Sequence, residues 1–109
     1  VTERGQCDFC SQPDPVWVYP TQDFDMTAAP APFNVGWGSR GAWAACEPCS
    51  ALIEQDAWDA LAKRSVVENP RTAAEIHNRA ERRIAIQAAA LLHRQFRRLR
   101  KPVPRMGFG

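Results

Sequence analysis

Cys7-Asp8-Phe9-Cys10 and Cys46-Glu47-Pro48-Cys49 contain all four cysteines of the chain, arranged as two C-x2-C pairs. A two-residue spacer lets both sulfurs of a pair face one ion, and two such pairs complete the tetrahedral shell of a structural zinc site. Three other uses of the cysteines fit the pattern less well. Disulfides suit a secreted chain, and no basic-then-apolar leader is seen before the first pair. A redox motif of the thioredoxin kind needs one C-x-x-C at the end of a strand in a βαβ unit, rather than two matched pairs. Unliganded core cysteines have no reason to pair at all. One structural zinc ion per chain, held by Cys7, Cys10, Cys46 and Cys49, is therefore the expected cofactor, since zinc suits an isolated four-cysteine site better than iron.

At 109 residues the chain can bury only a modest core, and small cores need a staple. A structural zinc ion contributes about 10–16 kcal/mol in small fingers, comparable with the stability of a whole domain. The N-terminal part is accordingly expected to fold only with metal. No stretch approaches the roughly 18 consecutive apolar residues of a membrane span. No membrane association and a cytoplasmic location are expected, and thiolates free for metal agree with a reducing compartment.

The net charge of +2 hides an uneven distribution. Residues 1–69 hold four basic and ten acidic residues, net −6, whereas residues 70–109 hold ten basic and two acidic, net +8. Eight of the ten aromatic residues also lie in the first part. The expected organisation is an acidic, aromatic-cored zinc domain over 1–69 followed by a basic amphipathic helix with a short Pro-containing tail over 70–109.

Taken in order, Cys7 to Cys10 predicts a zinc knuckle, a tight turn whose backbone N–H groups point at the sulfurs. Val16-Trp17-Val18-Tyr19 has strand propensity, and Pro20 stops it. The Pro-, Gly-, Ala- and Asp-rich stretch from Thr21 to Arg40 carries Phe24, Met26, Phe33 and Trp37. It predicts a long loop or lengthened hairpin turn, which serves either as a recognition loop or as a loop pinned by its aromatics. Ala42-Trp43-Ala44-Ala45 gives a second strand running into Cys46. Pro48 opens a helix whose free N–H groups and positive dipole end face the thiolates. Asp56, followed by Asp59, predicts a break there and the N-cap of a second helix. Knuckle, short hairpin and helix in this order make an α+β treble-clef zinc domain.

The stretch from Cys7 to about Arg64 resembles the treble-clef group. Within it, Ala45-Cys46-Glu47-Pro48-Cys49-Ser50-Ala51-Leu52-Ile53 is similar to the second half of the four-cysteine zinc domain of ClpX-type unfoldases. The chain also resembles small uncharacterised zinc proteins of high-GC bacteria and their phages, and twelve Arg against two Lys suits such a genome. The resemblance implies a zinc module and, with no ATPase following it, nothing of the unfoldase activity. Treble clefs include nucleases, but those need histidines at the metal and hairpin, whereas His77 and His93 both fall in the C-terminal helix.

Asn69-Pro70 and the Thr72-x-x-Glu75 capping box predict a helix start, and nothing breaks the pattern before Pro102, giving about 30 residues and roughly 45 Å. Ala80, Ile84, Ala88, Leu91, Leu92, Phe96 and Leu99 fall within an arc of about 160°. Arg79, Arg82, Arg83, Arg94, Arg97, Arg100 and Lys101 fall within another of about 120° on the far side. The apolar face must bury against the zinc domain, a second copy or a partner. His77 falls in the apolar arc as a packing residue, and His93 falls among the arginines as a surface one. The tail from Pro102 has no structure of its own; it is either a docking peptide anchored by Met106 and Phe108 or a free end.

Function follows from these pieces by elimination. Four cysteines leave zinc no open position to activate water, and no nucleophile, base and orienting group can be assembled, so no enzyme is expected. The arginine arc is either an ordinary solvated face or a contact surface for nucleic acid or a nucleic-acid-handling complex, such as a ribonucleoprotein or an RNA polymerase-type assembly. The alternative is a protein–protein adaptor or inhibitor acting through the long helix and the 21–40 loop, with a homodimer packed on Ile84, Leu91 and Leu92 as a variant of either.

Overall fold

The computed structural model describes residues 5–27, 36–39 and 41–108, with side chains described for all of these except 24–27 and 36–39. Cys7 to Cys10 form a tight turn, closed by hydrogen bonds from Cys7 N to Gln12 O (2.8 Å) and from Ser11 N to Cys7 O (2.9 Å). The turn is stitched to the strand it faces: Asp8 N donates to Ala44 O (2.8 Å), and Ala44 N donates to the Asp8 carboxylate (2.6 Å). Strand β1 (Trp17–Pro20) pairs antiparallel with the strand that leads into the second cysteine pair, Ala42–Ala45. The register sets Tyr19 opposite Trp43, and both side chains are wholly buried.

Between these two strands, where a long loop or lengthened hairpin turn is expected, the described residues include paired strands. Strands β2 (Phe24–Thr27) and β3 (Gly36–Ser39) form a separate two-stranded antiparallel ribbon, with Met26 opposite Trp37. The stretch's Pro and Gly content obscured two four-residue strands that satisfy each other's backbone groups. Phe33, expected as an anchor, lies outside the described residues. Ala42–Ala45 is thus β4.

Helix α1 (Glu47–Glu54) begins directly after Cys46, with Pro48 in its first turn where no N–H is needed. It ends at Asp56, whose φ of 53° is left-handed. Ala57 N reaches back to Leu52 O (2.9 Å) and Asp56 N to Ile53 O (3.1 Å), which satisfies the last carbonyls of the helix. The expected break is there, but Asp56 is the stop of α1 rather than the cap of α2 (Trp58–Val67). The cap position of α2 is Ala57, with no side-chain bond, and the Asp56 carboxylate accepts from Trp58 Nε1 instead.

The predicted single long helix is two. Helix α3 (Pro70–Glu75) starts on Asn69, whose side chain accepts from Arg71 N. It stops at Ile76, and helix α4 (Arg79–Leu99) starts afresh on Asn78. Asn78 Oδ1 accepts from Glu81 N (2.9 Å), while Glu81 Oε2 accepts from His77 N (3.0 Å). Local capping outcompetes continuation through three residues, because each helix end then has its own partners. The 21 residues of α4 span about 32 Å.

Helix α4 packs along α2 and delivers Phe96 into the centre of the core. The Phe96 ring lies 5.1 Å from Phe9, 5.7 Å from Tyr19, 5.0 Å from Trp43 and 6.2 Å from Trp58, centroid to centroid. This docking fixes the rotation of the helix. Ala85, His93 and Phe96 are buried, whereas Leu91, expected inside, is 44% exposed, and Ala80 is exposed too. His77, expected to pack, is exposed; His93, expected at the surface, is 3% exposed. An aromatic socket built by Phe9, Tyr19 and Trp43 selects Phe96 and the residues one turn before it, and so turns the helix away from its most apolar line.

The tail returns to the sheet. Lys101 N donates to Pro20 O (2.9 Å), Phe108 N to Val16 O (3.1 Å), and β5 (Met106–Gly107) pairs with β1, giving the order β4-β1-β5. Met106 is exposed, and Phe108 half-buried. Arg105 attaches the tail through its side chain: its guanidinium stacks 3.7 Å from the Trp17 ring centroid and donates to Ser50 Oγ.

Candidate metal centre

The two cysteine pairs meet in one place because three elements are held together around them. The knuckle carries Cys7 and Cys10, the end of β4 delivers Cys46, and the first turn of α1 carries Cys49. Hydrogen bonding between Asp8 and Ala44 locks knuckle to strand, so the four thiols share one buried pocket. Their sulfurs all lie within 4.8 Å of one another, and Cys10 Sγ to Cys46 Sγ is 3.6 Å. Four sulfurs about 2.3 Å from a central ion in a tetrahedron stand about 3.8 Å apart, so the cavity fits a metal ion of that size with modest tightening. No disulfide joins them.

The four cysteines are positioned to bind a metal ion. Hydrogen bonds with Cys49 and Cys7 push the Cys10 thiol well below its ordinary range. The same contacts with Cys10 and Cys7, together with burial, push Cys49 far up. Four crowded sulfurs thus share protons and cannot all ionise alone; a divalent ion in their midst would let all four become thiolates. The surroundings favour that state. Phe9 N points at Cys7 Sγ (3.4 Å), and Cys46 and Cys49 occupy the positive end of α1.

Two neighbours were not legible as site residues. Arg64, on α2, directs Nη2 at Cys46 Sγ (3.7 Å). Burial disfavours its charge, but hydrogen bonds to Cys46 and Cys49 overcome this and raise its pKa. The His93 ring lies against Phe9, with centroids 5.3 Å apart and planes tilted by 56°, and its Nε2 meets Ser65 Oγ at 3.2 Å. Ser65 Oγ already donates to Leu61 O, so it accepts from His93, which fixes the proton on Nε2. Burial lowers the His93 pKa to about 4. The only sequence signal for either residue is spacing: Leu61 and Ser65 mark the inward line of α2, and Phe96 marks that of α4.

The basic residues predicted as a group separate. Arg79, Arg82, Arg83, Arg94, Arg97 and Lys101 are exposed, Arg97 with its guanidinium 4.8 Å from the Trp58 ring centroid. Arg100 is drawn inward, 4.9 Å from the Tyr19 ring centroid and 3.7 Å from the Glu54 carboxylate. It closes a chain of polar contacts in which Arg105 donates to Ser50, Ser50 to Tyr19 (2.8 Å) and Tyr19 to Glu54 (2.9 Å). Among the described residues no helix is long and apolar enough to cross a membrane.

No family model matches the chain, and no curated protein and no solved structure matches it either. The likeness to the ClpX-type zinc domain thus gains no support from these comparisons, and what the structure shows is four cysteines clustered within metal-binding distance.

Proposed function

We propose that this chain is a non-catalytic zinc protein of treble-clef type, whose metal staples a small core and whose helix α4 offers an arginine face to the phosphate backbone of nucleic acid, bare or within a ribonucleoprotein. Zinc is favoured because four sulfur ligands in a tetrahedron suit it. The order of knuckle, β1–β4 hairpin and α1 supports the treble-clef reading. A shell of four protein ligands leaves no position for a water nucleophile, which supports a structural rather than catalytic ion.

The observation that carries the partner reading is the division of α4. Its Ala85–His93–Phe96 side is sunk in the core, while Arg79, Arg82, Arg83, Arg94, Arg97 and Lys101 face outward and pair with no acidic side chain among the described residues. Unneutralised guanidinium groups on a rigid helix are matched to phosphate oxygens. The test is anisotropy with labelled duplex DNA and single-stranded RNA across a salt series. Affinity should fall linearly with log salt, with a slope near −0.9 per neutralised phosphate on B-DNA and about −0.7 on single strands. Arg94→Ala with Arg97→Ala should weaken binding to all sequences about equally. Binding indifferent to salt, or untouched by the double variant, would overturn the nucleic-acid assignment.

A different sector of α4 supports a protein partner as the second reading. Leu91 is exposed with Ile84 half-exposed beside it, an apolar strip used by neither the core nor the arginines. Sedimentation equilibrium of wild type and Leu91→Glu tests for a second copy on that strip; a concentration-dependent dimer lost in the variant would support it, and a monomer throughout would count against it.

A further inference from the structure

We propose that Arg64 is a working part of the metal centre, a cation placed behind Cys46 that offsets the negative charge of the metal–thiolate cluster and sets how tightly the metal is held. The inference rests on the metal-binding reading and adds to it a residue outside the four ligands.

A divalent ion with four thiolates carries a formal charge of −2, and this one is embedded in the acidic part of the chain, net −6 over residues 1–69. Of the four basic residues in that part, Arg4 and Arg40 lie outside the described residues and Lys63 is exposed. Arg64 alone of the described ones turns inward, its Nη2 3.7 Å from Cys46 Sγ. Its Nε is buried and has no hydrogen-bond partner among the described residues. A guanidinium that gives up water at Nε in order to reach a sulfur loses stability as an isolated ion. The loss is offset only if the sulfur is anionic, which is the state that metal binding creates.

The position is also one that no capping bond of α1 serves. Cys7 receives the Phe9 N–H, a donor supplied by the knuckle itself. Cys46 stands at the N-cap of α1 and makes no side-chain capping bond, and its sulfur meets groups of other elements, Cys10 Sγ at 3.6 Å and a guanidinium donor. Helix α2 supplies it: Leu61 and Ser65 are buried against the core, and Arg64, one position before Ser65, is thereby aimed along the side that faces Cys46. The arrangement has the logic of the hydrogen bonds that orient and tune ligands behind many metal sites, with a full positive charge as the donor.

Cobalt(II) provides the test, because its thiolate-to-metal charge-transfer bands report the electron richness of the sulfurs directly. Wild type, Arg64→Gln, Arg64→Lys and the exposed-site control Arg71→Gln are loaded with cobalt(II), and zinc affinity is measured by chelator competition at one pH. Removing the cation makes the Cys46 sulfur easier to oxidise, so Arg64→Gln should move the charge-transfer band to longer wavelength. It should also weaken zinc binding roughly tenfold or more, within the range seen when partners behind metal ligands are removed. Arg64→Lys, which keeps the charge, should recover most of both, and Arg71→Gln should match wild type. If Arg64→Gln cannot hold metal but Arg64→Lys can, charge is still the operative property. Spectra and affinity unchanged in Arg64→Gln, or metal lost equally from the Gln and Lys variants, would overturn the role of Arg64. A wild type with no cobalt–thiolate band at all would instead bring down the metal reading itself.

Discussion

The ring of Phe96 meets the ring of Phe9 edge-on, with centroids 5.1 Å apart and planes at 90°. Phe9 lies between the two cysteines of the knuckle, and Phe96 is in the last helix, so this contact joins the metal centre to the basic end of the chain. Phe96→Ala should destabilise the metal-loaded protein by about 3–5 kcal/mol, the range for emptying a buried aromatic site. Denaturant unfolding at saturating zinc measures it. Metal retention against a chelator should fall in parallel, because the knuckle loses its backing; an intact metal affinity would show that the knuckle folds without α4.

The buried neutral His93 should give the protein a specific acid weakness. Burial holds its folded pKa at about 4, against an unfolded value near 6.5. Between those values the unfolded chain binds a proton that the folded chain refuses, so stability rises with pH across the window. The stabilisation is complete above about 6.5 and is lost as pH falls towards 4, to the order of 3 kcal/mol in all. His93→Gln keeps a donor for Ser65 without the titration. At saturating zinc the variant should lose less stability than wild type between pH 7 and pH 5. The cysteines contribute equally to both proteins, so parallel losses would contradict this.

Much of this was legible in the sequence, and the parts that were not share a cause. The cysteine pairs, the β1 and β4 segments and the start of α1 are written locally, in spacing and in proline placement. Asn78 and Glu81 are equally local, but an unbroken 3.6-residue pattern runs through them and masks the cap. The rotation of α4 could not be read locally. Its apolar arc is centred near Ala88 and Leu99 with Phe96 at one edge, yet the helix turns to seat Phe96 and His93 in a socket whose walls are Phe9, Trp43 and Ser65 and leaves Leu91, at the other edge, exposed. Arg64 and Arg105 were hidden for the same reason, since what they touch is distant in sequence.

Separate caps for α3 and α4 make the helix break a stable feature. Asn78→Ala should lower stability by about 1 kcal/mol. Amide exchange should quicken at Arg79 to Glu81 and stay unchanged at the Asn69 end. Unaltered exchange at both ends would mean that Asn78 does not hold the junction.

The tail should be held by Arg105 more than by its two-residue strand. Arg105→Ala removes both the stacking on Trp17 and the bond to Ser50, for an expected loss of about 1–2 kcal/mol. The Trp17 emission should shift to the red as its ring becomes wetter, whereas Met106→Ala, at an exposed position, should change little. Equal effects of the two substitutions would contradict this ranking.

The most direct measurement is native mass spectrometry of the protein purified under reducing conditions, paired with near-ultraviolet circular dichroism before and after chelation. One zinc ion per chain is expected, and its removal should abolish the signal of the buried Trp43 and Tyr19, returning it when zinc is restored. A chain that carries no stoichiometric metal yet keeps its tertiary signal would contradict the zinc-stapled core on which everything else here depends.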